Sequence, residues 1–561
     1  MKSIALAALA ALTLGAAPLP TYDTIIRGGT IYDGSGGAPY VGDVAIKGER
    51  IVAVGQIDGT AARVIDAKGL AVAPGFINML SWANESLIAD GRSMSDLKQG
   101  VTLEVMGEGW SMGPLTPAMK TAALRRQGDI KYPVTWTTLA EYLDTLTKKG
   151  ISPNVASFVG ATTVRIHEVG EDDVQPTPAQ LARMQALVRA AMNDGALGVG
   201  SSLIYAPATY AKTPELTALM RAAAPCGGRY ISHIRNESDD ILGAIDELIS
   251  IVRASGARGG EIYHLKQAGR ENWGKLPAVI AKVEAAQRPG LNITADMYTY
   301  TAGATGLDAS MPPWVQAGGV ERWVTRLRDP ATRARVAAEM REAGQGWENL
   351  LLQAGGPDNV LFLEFKNPAL KKYNGQTLAA VATQRGRSPE DTAIDLVIED
   401  GSRVGVAYVL MNEENVALQT ALPWMAFGSD AASQASEGVF LRSSAHPRAY
   451  GNVARLLGKY VRDERRTTLQ DAIRRLTSFP AANLGLAGRG SLKPGYQADL
   501  AIFDPARVAD RATYAQPQQY AVGMVHVFVN GVQVLRNGEH TGALPGQVVK
   551  GPGTGRCPQV Q

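Results

Sequence analysis

Cysteine is nearly absent from this chain: Cys226 and Cys557 are the only two in 561 residues. That excludes a cysteine-built structural zinc site and a paired-cysteine redox motif. A single pair so distant in sequence is a poor argument for a disulfide, and none is expected. An excess of either charge is also lacking. With 56 basic and 53 acidic residues the net charge is +3, which gives no electrostatic reason to expect nucleic acid or an anionic membrane as partner. No stretch after the N-terminus is long and apolar enough to span a bilayer. Histidine is scarce as well, at six, so where each one falls carries information.

What is present is an ordinary globular balance, 45% hydrophobic and 19% charged, over a length that needs more than one domain or one large barrel with additions. The chain opens on Met1-Lys2-Ser3, then an apolar run from Ile4 to Leu14, then Gly15-Ala16-Ala17. A basic start, a short apolar core and small residues describe a secretory signal peptide, here residues 1–21. No cysteine follows it to carry a lipid, so export to the periplasm or beyond is expected.

Residues 22–74 alternate short β-branched runs with Gly and Asp turns, as in Thr24-Ile25-Ile26-Arg27 and Ile51-Val52-Ala53-Val54-Gly55. Residues 485–550 read the same way. Leu500-Ala501-Ile502-Phe503 is one strand, and Val525-His526-Val527-Phe528-Val529 runs into the hairpin signal Asn530-Gly531. Neither end has enough strands alone, so both are expected to join in one small β-sandwich. Between them, residues 75–484 alternate apolar runs with helical stretches such as 179–194 and 241–254. This predicts a (β/α)₈ TIM barrel whose chemistry sits at the C-terminal ends of its strands. The rhythm breaks over about 300–367, which predicts an inserted subdomain.

Several polar residues close predicted barrel strands. His233 ends Arg229-Tyr230-Ile231-Ser232-His233 and His264 ends Glu261-Ile262-Tyr263-His264. Two imidazoles on one rim are good zinc ligands. Glu108 follows Leu103-Glu104-Val105-Met106-Gly107 as a candidate third ligand, and His167 is a weaker candidate near another apparent strand end. Asp430 closes Met425-Ala426-Phe427-Gly428-Ser429-Asp430, where a carboxylate can act as general base and then proton donor. His446, His526 and His540 are expected to be structural or surface residues rather than metal ligands.

Taken together, these segments resemble the amidohydrolase superfamily, and within it the N-acyl-D-amino-acid deacylases (D-aminoacylases). The resemblance rests on Ala73-Pro74-Gly75-Phe76-Ile77, Ser232-His233-Ile234-Arg235, Tyr263-His264-Leu265-Lys266, Asp296-Met297-Tyr298-Thr299-Tyr300, Gly428-Ser429-Asp430, His446-Pro447-Arg448-Ala449-Tyr450-Gly451 and the tail stretch from Gly488 to Leu500. It covers about residues 22–553. The chain departs from it at three places. The His-x-His pair usual after the entering strand is Leu80-Ser81-Trp82, which loses one of two possible metal positions. The usual cysteine ligand falls in Gly107-Glu108-Gly109-Trp110, where Glu108, or Gly109 if no gap is allowed, takes its place. The histidine of the family's Gly-His-Gly-Thr segment is missing from Gly160-Ala161-Thr162-Thr163.

The resemblance implies a metal-dependent hydrolase with one zinc held by Glu108, His233 and His264, the set with which related deacetylases hold a single metal. It implies Asp430 as the proton-transferring residue. Lys266, Tyr298 and Arg448 would orient a substrate carboxylate or support an oxyanion, and Trp82 would shape the substrate pocket in place of a metal ligand. The expected substrate is a small amide such as an N-acyl-D-amino acid. A lactam, lactone or dipeptide hydrolase of the same fold, and a non-catalytic binding protein that has lost its metal centre, remain open on sequence alone.

Overall fold

The computed structural model describes residues 20–558. The expected signal peptide lies almost wholly outside the described residues. Among the described residues no helix is long and apolar enough to cross a membrane.

Both chain ends build one nine-stranded sheet. The join is an antiparallel pairing of Ala71–Pro74 with Leu500–Phe503, in register Ala73 to Ala501 and Val72 to Ile502. Alternation along these strands explains why the ends need each other. Ile26, Val44 and Ile46 from the N-terminal strands share one apolar cluster with Leu500, Ile502 and Phe528 from the C-terminal ones. The opposite set, including Ala71, Ala73, Ala501 and Phe503, packs into the main core of the protein. Hydrogen bonding runs unbroken through this sheet, and strands from the two chain ends enclose that shared apolar cluster in one small β domain. The Asn530-Gly531 signal holds: both residues have positive φ (48° and 80°) and link antiparallel strands Met524–Val529 and Val532–Arg536.

The barrel strands are β1 (Phe76–Asn78), β2 (Val101–Met106), β3 (Asn154–Ser157 continuing as Val159–Gly160), β4 (Gly198–Ser202), β5 (Arg229–His233), β6 (Gly260–Ile262), β7 (Ile293–Met297) and β8 (Met425–Phe427). Neighbours pair in parallel from β1 through to β8. The ring closes where Met79 N donates to Phe427 O at 3.1 Å. The barrel interior is packed, with Ile77, Leu80, Leu103, Ile231 and Tyr263 in one buried cluster.

The inserted subdomain lies between β7 and β8 and extends past the expected limit at 367. Strand Gly405–Val409 pairs antiparallel with both Ala302–Gly306 and Val360–Glu364. The helices Leu378–Arg385 and Pro389–Asp400 therefore belong to the insertion. In sequence they resemble barrel helices, and only the pairing of residues 405–409 assigns them.

A second correction concerns the cysteines. Cys226 and Cys557 form a disulfide, with their Cα atoms 4.8 Å apart. The C-terminal tail runs along the N-terminal ends of the barrel strands, where Val549 N donates to Val155 O and Gly551 N to Gly195 O. That path returns Cys557 to the residue just ahead of β5, which spacing in the sequence could not show.

Candidate metal centre and catalytic cavity

At the C-terminal rim of the barrel, Glu108, His233 and His264 converge and are all buried. Glu108 follows β2 between Gly107 (φ 106°) and Gly109 (φ 68°). A Cβ on Gly107 would meet Phe158 O at 2.4 Å, and one on Gly109 would meet Ser202 Oγ at 2.0 Å. Only glycine permits that double kink, which turns Glu108 into the barrel mouth. Glu108 Oε1 lies 3.2 Å from His233 Nδ1 and 3.0 Å from His264 Nε2. Atoms bound to a four-coordinate zinc sit roughly 3.3 Å apart, given metal–ligand bonds near about 2.0–2.1 Å. The three donors are thus spaced as ligands of one ion.

His264 and Asp430 share a backbone feature. His264 has φ 33° and Asp430 φ 49°, both in a region L side chains rarely occupy. Each is held there by a buried partner. His264 N donates to Asp296 Oδ1 at 2.9 Å, and Asp430 N donates to Leu80 O at 2.8 Å. Strain at two strand ends of one rim turns both side chains toward the same cavity.

The electrostatics favour a cation. Burial works against a charged Glu108, but His264 and His233 outweigh it and hold its carboxyl well below the usual range. For His264, burial and Lys266 push the pKa down, yet Glu237, Glu108 and Asp430 carry it up to about 10. Neighbouring carboxylates therefore call for positive charge at the His264 imidazole. Among the described residues Glu108 has no Lys or Arg partner, so an ion fits the group.

Glu237 and Glu348 escaped the sequence reading. Glu237, on the loop after β5, faces His264 Nδ1 at 3.0 Å and His233 Nε2 at 3.5 Å. Its place four residues after His233 was the available signal. A carboxylate behind each ligand imidazole fixes the tautomer that leaves the other nitrogen free for metal. His233, Glu237 and Glu348 form a second grouping of donors. There, however, Lys266 Nζ already neutralises Glu237 at 2.7 and 2.9 Å, so the Glu108 group is the better metal site. Glu348 comes from the insertion and accepts from Glu237 N at 2.6 Å; burial, with Glu237 beside it, pushes its carboxyl up to about 8.

All the expected substrate-facing residues line one cavity of about 400 Å³ with the metal cluster and Asp430. Arg448 Nη1 is 2.8 Å from Asp430 Oδ2, and its guanidinium lies 4.4 Å from the centre of the Tyr298 ring. Burial raises Asp430 from its usual range, against the opposing pull of Arg448 and His264. Lys266 is bound to Glu237 rather than free. Trp82 donates its indole N–H to Glu108 Oε2 (2.9 Å) and Asp430 Oδ1 (3.2 Å). His446 also lines the cavity but is no ligand: Nε2 bonds Ala302 O and Nδ1 accepts from Arg448 N. His167 lies in helix Ala161–Glu168, its ring against Glu168, because β3 ends at Gly160 and the next residues coil at once.

The sequence pattern of the Amidohydrolase family matches residues 63–535. The chain belongs to that family. The D-aminoacylase of Alcaligenes xylosoxydans xylosoxydans is 31% identical over 533 residues, covering 94% of this chain and 97% of that one. A solved D-aminoacylase, described by its binuclear metal center with one-metal activation and second-metal attenuation, is 30% identical with a TM-score of 0.78, over 94% of this chain and all of that one. The N-acyl-D-glutamate deacylase of Bordetella bronchiseptica, solved with zinc and a phosphonate mimic of the tetrahedral intermediate, is 29% identical with a TM-score of 0.77, over 95% of this chain and all of that one.

Proposed function

We propose that this amidohydrolase cleaves the amide bond of an N-acyl-D-amino acid or a closely related small amide, using one zinc ion held by Glu108, His233 and His264. The convergence of one carboxylate and two imidazole nitrogens carries the reading, and the substrates named for the family members above support it. Held by Glu108, His233 and His264, a zinc ion would supply Lewis-acid polarisation of the scissile carbonyl and a lowered pKa for the attacking water. Asp430, whose basicity burial raises while Arg448 keeps it paired, would take a proton from the attacking water and return it to the leaving nitrogen. Tyr298, which burial keeps protonated, offers an O–H to the developing oxyanion. Arg448 has a buried Nε without a hydrogen-bond partner among the described residues, and it receives the substrate carboxylate. Lys266 holds Glu237 in place behind the two imidazoles through their ion pair. Leu363, Val406 and Leu410 of the insertion supply an apolar wall for an acyl or side-chain group.

The test is the metal content of the purified mature protein beside His264→Ala, followed by assays on N-acyl-D-amino acids, dipeptides and lactones. About one zinc per chain, lost in the variant, with turnover of the acyl amino acids, supports the reading. Turnover of dipeptides or lactones alone moves the substrate class. No bound metal after zinc is supplied turns the chain into a binding protein on a hydrolase fold. We also infer export to the periplasm. The signal-like first 21 residues support it, and so does the disulfide, a bond that persists in oxidising compartments. An uncleaved N-terminus or a cytoplasmic protein on fractionation would overturn that inference.

A further inference from the structure

We propose that the indole N–H of Trp82 takes the place of a second metal ion, making the centre mononuclear by construction and holding Asp430 in register with it. The inference rests on the single-ion reading above and concerns the side of the site which that ion does not fill.

The two carboxylate oxygens of Glu108 are divided. Oε1 faces both imidazole nitrogens, while Oε2 accepts from Trp82 Nε1 at 2.9 Å. The same N–H lies 3.2 Å from Asp430 Oδ1. Trp82 Nε1 therefore sits between two carboxylates that would otherwise face each other across a gap, where a cation would be the usual remedy. An indole nitrogen is a donor only: its electron pair belongs to the ring and cannot ligate an ion. Leu80 offers no donor either. Its side chain is fully buried in the barrel interior, against Gly428, and its carbonyl is taken by Asp430 N. The residues present thus fit one ion and do not fit a second.

The arrangement also fixes Asp430. Trp82 engages Oδ1 and Arg448 engages Oδ2, so both oxygens of the carboxylate are oriented. Trp82 is accordingly a positioning residue for Asp430 and a neutral bridge to the ligand Glu108. Neither role requires it to touch substrate.

The experiment uses the full mature protein, stripped of metal by a chelator and titrated calorimetrically with Zn²⁺ and, in parallel, with Mn²⁺ followed by electron paramagnetic resonance. Wild type, Trp82→Phe and the double variant Leu80→His/Trp82→His are compared. Wild type binds one ion, gives the signal of an isolated Mn²⁺ and keeps its activity in excess zinc. The double variant binds two ions and shows a coupled Mn²⁺ pair. Trp82→Phe still binds one ion but loses about tenfold or more in kcat with KM within about twofold, as expected for one hydrogen bond lost from a charged acceptor in the reacting state. A second ion on wild type with affinity within about tenfold of the first, a double variant that folds but binds only one ion, or a Trp82→Phe with unchanged kcat overturns the proposal. Wild type that binds no ion overturns the single-ion reading and this inference with it, an outcome distinct from binding two.

Discussion

Glu237 stands behind His264, its Oε1 3.0 Å from Nδ1 on the side of the ring opposite Glu108. The same carboxylate reaches toward His233 and is neutralised by Lys266. Burial opposes its charge, but the histidines and Lys266 hold it ionised, with its pKa well below the usual range. It therefore stays an acceptor at every working pH. Replacing it by Gln removes the charge while keeping the shape. Glu237→Gln is expected to weaken metal binding about 10- to 100-fold, as loss of a carboxylate behind a ligand imidazole commonly does. Competition with a chelator of known affinity measures this, and unchanged affinity would refute the role.

Asp430 lies outside the ligand set but within reach of it, pairing with Arg448 and Trp82. Asp430→Asn keeps the size and loses the base. We expect kcat to fall by about 10²-fold or more while bound metal is unchanged. Metal analysis and steady-state kinetics on the same preparation decide it. Retained activity would place proton transfer elsewhere.

A buried pair of carboxyl groups, Asp96 and Glu104, should leave a mark on stability against pH. Glu104 accepts from Asn78 and Ser93 at 3.0 Å, and Asp96 Oδ2 has no partner. Burial raises both; Glu104 raises Asp96 further, while its hydrogen bond with Asp96 opposes the rise at Glu104. A carboxyl whose folded pKa is raised favours the folded state below its unfolded pKa. That contribution is lost as pH climbs through the folded value. Wild type should therefore lose stability as pH rises above the ordinary carboxylate range. Asp96→Asn should lose less over the same interval. Thermal midpoints of the two proteins across pH isolate the difference, and parallel curves would count against the pair.

The Cys226–Cys557 bond closes β5–β8, the insertion and the C-terminal tail into one loop. Cys557→Ser is expected to cost about 2–4 kcal/mol. Denaturant unfolding with and without reductant tests it: the variant should match the reduced wild type. Release of the tail should also free the amide of Val155, which donates to Gln547 O, and hydrogen exchange there would detect it.

The local alphabet of the fold was legible in the sequence because local physics writes it there. β-branched runs closed by Gly and Asp marked the end strands, Asn530-Gly531 marked its hairpin, and helix 178–194 stopped where Gly195 adopts φ 118°. His233, His264, Asp430 and Glu108 could be singled out because each directly follows or closes an apolar strand, and in a parallel barrel all strand ends share one rim. What depends on contacts between distant segments was not legible. The disulfide required the path of the tail beneath the barrel. The true end of the insertion required the pairing of residues 405–409 with two earlier strands. Glu237 and Glu348 join the site only because a loop and an inserted subdomain fold over the same two imidazoles. Trp82 could be read as a lost ligand, but its bridge between Glu108 and Asp430 belongs to no local pattern. Sequence periodicity records which face of an element is buried; which charges meet across 100 residues or more is settled only when those elements pack.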